Sequence, residues 1–542
     1  MSKYSIGVDF GTLSARALLV SLENGQEICD AEFAYPHAIM TDKDFNAQSL
    51  TKTDAFQHPQ DYLDAISFVI KSVLSKSKVN TDDVVGVGID FTSCTVLPVK
   101  EDGTPLCFLD KFKNEPQAYV KLWKHHSAEK EAEEITALAK KLNQKWLSAY
   151  GGKVSSEWLF PKLLETLHKA PRVFESCDRF LEAGDWLVWQ LTGTEVHSSC
   201  MAGYKGLWNK KTAYPSNKFW SRLDKDFGNI IGTKVSENVV PTGSKAGVIN
   251  EAGSELTGIN TGTAVAVPII DAHAALPAAG ITDAGKLMVI CGTSSCHIVM
   301  NKENTTVKGI CGSVEDGIVP GFTAYEAGQA SVGDSFDWFV KNCVPSIYEE
   351  AAKAEGISVF DYLTKKAESL KVGESGIIAL DWWNGNRTPY ANYDLTGALI
   401  GLNPHTKPEE IYRAIIESTA FGTKAIVDLY NNSGVRVDEI YFAGGISQKN
   451  PFIMQLYSDV LGTEIKIAKS VQAGAKGSAI FASYAGGYFG SVNEAALAIA
   501  DKCEKIYYPN SENMKKYEVL YNEYIKLSEF FSKNDIMKNI KI

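Results

Sequence analysis

The chain has 542 residues, 45% of them hydrophobic and 22% charged, and 54 Lys and Arg against 65 Asp and Glu give a formal net charge of −11. That length implies more than one core, and the composition fits neither a disordered nor a fibrous chain. An acidic balance argues against nucleic acid as a partner, and with no run near the ~20 apolar residues of a membrane span and no signal-like start in MSKYSIGVDF, a cytoplasmic protein without a membrane partner is expected.

The first predicted element is a strand over Tyr4 to Phe10, followed by a Gly11-Thr12 turn and strands over Ala17 to Leu22 and Ile28 to Tyr35. A helix opens at Pro59, with Tyr62, Ile66, Val69, Ile70 and Val73 spaced along one buried face, and a strand over Val84 to Phe91 follows. From about Gly285 the same order restarts. Strand Lys286 to Cys291, a Gly292-Thr293 turn and strand Cys296 to Met300 echo the N-terminus. The small-residue stretch Pro277-Ala278-Ala279-Gly280 separates the copies, so domains over 1–280 and 281–542 are expected. In the second copy Thr406 and Glu409 predict a capping box around Pro408, with a buried face through Ile411, Ile415, Phe421 and Leu429. Strand Glu439 to Ala443 follows it. Beyond residue 501 a lysine-rich surface helix is expected to pack through Tyr517, Leu520, Tyr524 and Leu527.

Several segments carry candidate chemistry. Asp9-Phe10-Gly11-Thr12-Leu13-Ser14-Ala15-Arg16 places a carboxylate at a strand end before a glycine turn with hydroxyls and a cation. Backbone N–H groups of such a turn can cradle phosphate and Asp9 can hold Mg²⁺; the alternative is a plain capped hairpin turn. Gly292-Thr293-Ser294-Ser295 is its echo, and two such loops across a cleft can grip one polyphosphate. Gly444 and Gly445 end a strand and open a helix, either as a platform for a nucleotide or as a loop that needs positive φ. Asp271 ends an apolar strand near the expected boundary, as a general base or as a helix cap, and His273 reads as a packed residue rather than a metal ligand. Lys205 and Glu326 sit among small and aromatic residues that can line a sugar pocket, unless they are solvated loop charges. Trp382 through Arg387 is either a stacking platform or a structural aromatic pair. The ten cysteines lack metal-site spacing and read as small thiols.

Together with Gly88 through Thr95, Leu122 through His126, Gly184-Asp185-Trp186 and Leu191-Thr192-Gly193, these segments resemble the FGGY carbohydrate kinases over essentially the whole chain. The resemblance implies an α/β fold of two ribonuclease-H-like domains of the actin and hexokinase type, closing on ATP and sugar in an interdomain cleft. It implies Asp271 as catalytic base and as a ligand near the metal, and Asp9 beside Mg²⁺. Gly11, Thr12, Ser14 and Arg16 fall on the first phosphate loop, Gly292 and Thr293 on the second, and Gly444, Gly445 and Asn450 on the adenosine side. Ser93, Lys205 and Glu326 fall where the sugar is contacted, with Asp271. The activity implied is transfer of the γ-phosphate of ATP to the 5-hydroxyl of L-ribulose in L-arabinose breakdown. The alternatives are another pentulose or pentitol, or, in a different class, a nucleotide-switched binding module. The sequence leaves a homodimer open.

Overall fold

The computed structural model of the chain describes residues 2–45, 50–469, 472–501 and 503–540. Two mixed sheets organise it. In the first, β1 (Tyr4–Phe10), β2 (Ser14–Ser21), β3 (Glu27–Ala34), β4 (Val84–Phe91), β5 (Lys245–Val248) and β6 (Ala264–Ala266) lie in the order β5-β6-β4-β1-β2-β3. In the second, β7 (Lys286–Cys291), β8 (Ser295–Asn301), β9 (Gly312–Glu315), β10 (Thr323–Gln329), β11 (Glu439–Ala443), β12 (Ile465–Ile467) and β13 (Lys505–Tyr507) lie in the order β9-β10-β8-β7-β11-β12-β13.

The two sheets share one plan. Each has a central antiparallel hairpin, β1-β2 or β7-β8. The first strand of that hairpin pairs parallel with β4 or β11, which pairs parallel with β6 or β12. An antiparallel strand, β5 or β13, closes that side. The restart at Gly285 is thus a duplicated topology, and each sheet carries its own apolar core. Residues inserted within the first copy, between β3 and β5, add a small sheet of Phe56–Gln57, Val120–Lys121, Val96–Val99 and Arg179–Glu182 over a third core.

Among the helices packed on these sheets are α1 (Pro59–Ser77), α2 (Ser199–Lys205), α3 (Asp271–Ala278), α4 (Pro408–Asn432), α5 (Ala473–Ala485) and α6 (Ser511–Lys533). The expected face of α1 is fully buried. In α4 the cap differs from expectation. Pro408 takes the first helical position, which makes Lys407 the cap residue and Glu410 its partner; the Glu410 carboxylate accepts the Lys407 N–H at 2.7 Å. Thr406 instead closes the preceding turn, accepting the Asn403 N–H at 3.0 Å. Helix α6 packs through Tyr517 and Tyr524, joined by Tyr521 and Ser528, while Leu520 and Leu527 are only partly buried. The Tyr524 hydroxyl donates to Asp381 at 2.6 Å.

Helix α5 explains a pattern in the strands. Gly7 and Asp9 alternate along β1, and Gly86, Gly88 and Asp90 along β4, so each set faces one side of the sheet. The glycines let the α5 backbone lie directly on the strands. A Cβ at Gly7 would stand 1.7 Å from the Ala475 carbonyl oxygen, one at Gly88 2.0 Å from that of Ser478, and one at Gly86 2.3 Å from that of Ala482. A helix from the C-terminal end of the chain therefore completes the first core, with Ala475, Ala479, Ile480 and Phe481 inside it. It also delivers its N-terminus to the acids that end the strands.

Candidate functional site

Three carboxyl groups line up along the ends of adjacent strands. Asp9 and Asp90 are paired across the parallel β1-β4 register, and Asp271 follows Ile269–Ile270, which pairs with Asp90 and Phe91. Asp90 is fully buried, so burial first and the Asp9 charge second push its pKa well above the usual range. It accepts the Ser478 hydroxyl of α5 at 2.7 Å, while its other oxygen has no hydrogen-bond partner. Asp9 is raised by burial, against the lowering influence of the neighbouring Asp90 side chain and the charge of Arg16. A Cβ on Gly474, in the first turn of α5, would stand 2.9 Å from Asp90 and 3.0 Å from the Asp9 carboxyl carbon. Asp271 is raised to about 7 by burial and then by the Asp9 charge, although it accepts the Ala272 N–H at 2.7 Å.

Asp271 is the first residue of α3 rather than its cap, which is Ile270. A carboxylate in a first helical turn is stabilised by the helix dipole. Here burial and Asp9 outweigh that, leaving a group that can take a proton near neutral pH.

Both glycine turns close as expected, with Gly11 N–H donating to Ser14 O at 3.0 Å and Gly292 N–H to Ser294 O at 2.9 Å. The first turn is braced from outside the sheet. Trp123 Nε1 donates to Thr12 Oγ1 at 3.1 Å and Gln57 Nε2 to Thr12 O at 2.6 Å. The Thr12 hydroxyl, accepting from Trp123, keeps its own hydrogen for an acceptor. Ser14 and Arg16 both engage Glu32 on β3, at 2.9 and 3.0 Å. The second turn seats the start of the Gly333–Cys343 helix beside it: Gly333 N–H donates to Gly292 O at 3.0 Å and Val332 N–H, from the cap position, to Thr293 O at 2.8 Å. Gly444 has φ of 97° and a Cβ there would meet Cys291 O at 2.3 Å, so the loop after β11 must be glycine to pack on the end of β7. Gly445 has open space around its Cα. Asn450 caps the Pro451–Leu461 helix through the Ile453 N–H at 3.1 Å.

A second polar cluster lies beside α3. Lys205, at the end of α2, points its Nζ to within 3.5 Å of Glu326 Oε1 on β10. Burial raises the Glu326 pKa, but Lys205 and the His273 hydrogen bond overcome it and hold the carboxyl well below the usual range. Burial lowers Lys205, and Glu326 reverses that. Both charges act on Asp271, and His273, two residues further along α3, reaches Glu326 at 3.1 Å, so the pair lies beside the helix that Asp271 begins. Ser93 is half-buried just after β4, beside Cys94 at φ of 57°, and Lys205 also acts on Cys94.

Among the described residues a tight group of metal-type donors, Asp54, His125 and Glu165, lies elsewhere. It is already neutralised, since Glu165 accepts Lys121 at 2.8 Å and Lys169 at 2.7 Å. Trp382 is buried and Trp383 packs on Trp338 at 4.6 Å, so this pair is structural. Sequence reasoning missed Asp90, Gly474 and Trp123. Gly88-Ile89-Asp90-Phe91 repeats Gly7-Val8-Asp9-Phe10, and that echo is the signal that could have found Asp90.

The family model for the FGGY carbohydrate kinase N-terminal domain matches residues 4–277, and that for the C-terminal domain residues 287–486. A ribulokinase of Bacillus licheniformis is 46% identical over 98% of this chain and 97% of its own length. One of Geobacillus thermodenitrificans is 47% identical over 99% of this chain and 97% of its own. Among solved structures, a xylulose kinase of Rhodospirillum rubrum superposes with a TM-score of 0.81 at 19% identity, covering 98% of this chain and 100% of that one.

Proposed function

Because the chain belongs to the FGGY family of carbohydrate kinases, we propose that the carboxyl line, the glycine turns and the Lys205–Glu326 pair divide one phosphoryl transfer between them. The enzyme phosphorylates L-ribulose at its 5-hydroxyl with ATP as donor. One observation carries the assignment of roles: Asp271, raised to about 7, follows the short strand paired with Asp90 and begins the helix whose His273 reaches Glu326. An alcohol stays protonated near neutral pH, so the group that accepts its proton must sit beside it and be free of its own.

Asp271 takes the proton of the 5-hydroxyl as the γ-phosphoryl group arrives. Lys205 donates to sugar oxygens, Glu326 accepts from sugar hydroxyls, and the Ser93 hydroxyl joins them. Thr12 and Thr293 present backbone N–H groups and hydroxyls to the phosphates, Gly11 and Gly292 close the turns without side chains that would block the approach, and Ser14 and Arg16 stand behind the first turn. Gly444, Gly445 and Asn450 border the adenosine. Asp9 and Asp271 would hold Mg²⁺; the crowded carboxyls and the unpartnered Asp90 oxygen are the hard oxygen donors that ion takes. When bound it neutralises charge on the transferring phosphates. A division of the chain near residue 280 puts the sugar contacts and base mainly in the first domain and the adenosine side in the second. Among the described residues no helix is long and apolar enough to cross a membrane, and the cytoplasm, where ATP is supplied, is the compartment this activity needs.

An ATP-coupled assay across pentuloses and pentitols tests the substrate, with L-ribulose expected to give the highest kcat/KM. Lys205→Ala and Glu326→Ala are expected to raise KM and blur discrimination, because the wrong stereoisomer leaves buried polar groups unpaired. If both variants keep the wild-type kcat/KM ratios across the four 2-ketopentoses, the sugar is elsewhere. Gly292→Val tests the nucleotide side. No protein atom outside its own turn crowds a Cβ there, the nearest being Ser294 O at 3.8 Å. The variant should therefore fold, lose ATP affinity measured by calorimetry, and keep its ketose affinity; unchanged ATP affinity would move the phosphates away from this turn.

A further inference from the structure

His273 takes no part in the transfer described above, yet it is held on every side next to it. It lies two residues after Asp271 on α3 and is 1% exposed. Its Nε2 is 3.1 Å from Glu326 Oε2 and its Nδ1 is 3.0 Å from Cys200 Sγ. An ionised carboxylate only accepts, so Nε2 carries a proton; in the neutral ring Nδ1 then accepts the Cys200 S–H. Burial raises the Cys200 pKa and keeps that thiol protonated. The Tyr204 ring packs on the imidazole at 4.5 Å, and its hydroxyl is anchored on Ala324 O at 2.8 Å. The ring can neither turn over nor slide without breaking one of these contacts.

The consequence falls on Glu326. One of its oxygens faces Lys205 at 3.5 Å and the other faces His273 at 3.1 Å, from two different helices. The Lys205 contact is long for a hydrogen bond, which leaves both groups with capacity for a ligand. Without the imidazole, the carboxylate is free to swing onto Lys205 as a close ion pair and withdraw both from the space beside Asp271. The bond also crosses the molecule: α3 belongs with the first sheet, whereas Glu326 is on β10 of the second.

We propose that His273 is a positioning residue that fixes the Glu326 carboxylate for the ketose and ties it to the helix that begins with Asp271, with Cys200 setting the ring's tautomer. This rests on the reading that Lys205 and Glu326 contact the sugar. The test is calorimetry and steady-state kinetics with L-ribulose and ATP on His273→Leu, His273→Gln, Cys200→Ala and Glu326→Ala. A hydrogen bond to a charged group is worth about ten- to a hundredfold, so His273→Leu should raise the ketose KM by that much, lower kcat less, and leave ATP affinity unchanged. His273→Gln, whose amide N–H can reach the place of Nε2, should recover most of the loss. Wild-type ketose KM in His273→Leu overturns the proposal, as does a His273→Gln no better than His273→Leu at the same melting temperature. If His273→Leu does not fold, Cys200→Ala decides: a raised ketose KM with ATP unaffected supports the role, and an unchanged one overturns it. Glu326→Ala separates the two levels. Loss of ketose affinity there with none in His273→Leu removes only the role of His273, whereas unchanged affinity in Glu326→Ala removes the sugar placement as well.

Discussion

Asp271→Asn is expected to bind ATP and ketose nearly as the wild type does and to turn over at least about a hundredfold more slowly, since general-base assistance is worth roughly 10²–10⁴ in rate. Asn keeps the shape of the side chain and can still accept the Ala272 N–H that Asp271 accepts at 2.7 Å. It removes the negative charge and with it the capacity to take a proton. Were Asp271 merely a helix-start residue, the change would cost little, because Asn serves helix starts well. Binding by calorimetry and chemistry by single turnover should therefore come apart. A folded Asp271→Asn enzyme with near-normal kcat makes Asp271 structural.

The same residue sets the acid limb of the pH profile. Burial and the Asp9 charge raise Asp271 to about 7, so below that pH it holds a proton and cannot accept another. The rate then falls as pH drops. A bound dication favours the ionised form and draws the limb downward, so at saturating MgATP its midpoint should lie between the ordinary carboxylate range and about 7. In Asp271→Asn the limb should disappear from what activity remains.

Much of the fold was legible because its signals are local. Alternation and turn residues mark β1, β4, β7 and β11, and the repeated Gly-Thr turn reveals the duplication before any pairing is known. The capping box at α4 slipped by one residue for a local reason too: Pro408 fixes the first helical position and so chooses Lys407, not Thr406, as the cap. The site was legible in part. Asp9 and Asp271 stand at strand ends, where carboxylates are conspicuous after apolar runs. Lys205 and Glu326, by contrast, acquire meaning only when α2 meets β10, more than a hundred residues away, and no periodicity reports such a meeting. His273 was rightly read as packed; what it packs against, Glu326 and Cys200, comes from two distant segments. Asp90 looked like one more residue of a buried strand until Ser478 and Gly474 of α5 closed over it.

Gly7→Ala is expected to be the most damaging single methyl added to the first sheet, and it tests whether α5 is what holds the acids in place. The new Cβ would lie 1.7 Å from the Ala475 carbonyl oxygen and 2.6 Å from the Ala479 nitrogen, both backbone atoms of a helix that cannot fold aside as a side chain would. The strand cannot yield either, being bonded on both sides, to β2 and to β4. Glycine in a strand interior marks such close backbone approach. Relief must come from lifting α5, and overpacking of this kind costs about 3 kcal/mol or more. At roughly 2–4 °C per kcal/mol the melting temperature should fall by about 6–12 °C. Lifting α5 also draws Gly474 and Ser478 off Asp9 and Asp90, so kcat should drop in whatever protein remains folded, with the ketose KM changed less. Gly490→Ala is the control, because its nearest neighbour is only the tip of the Glu494 side chain at 3.2 Å. A Gly7→Ala enzyme that melts with the wild type would mean that α5 does not rest on β1, and the acids would need another support.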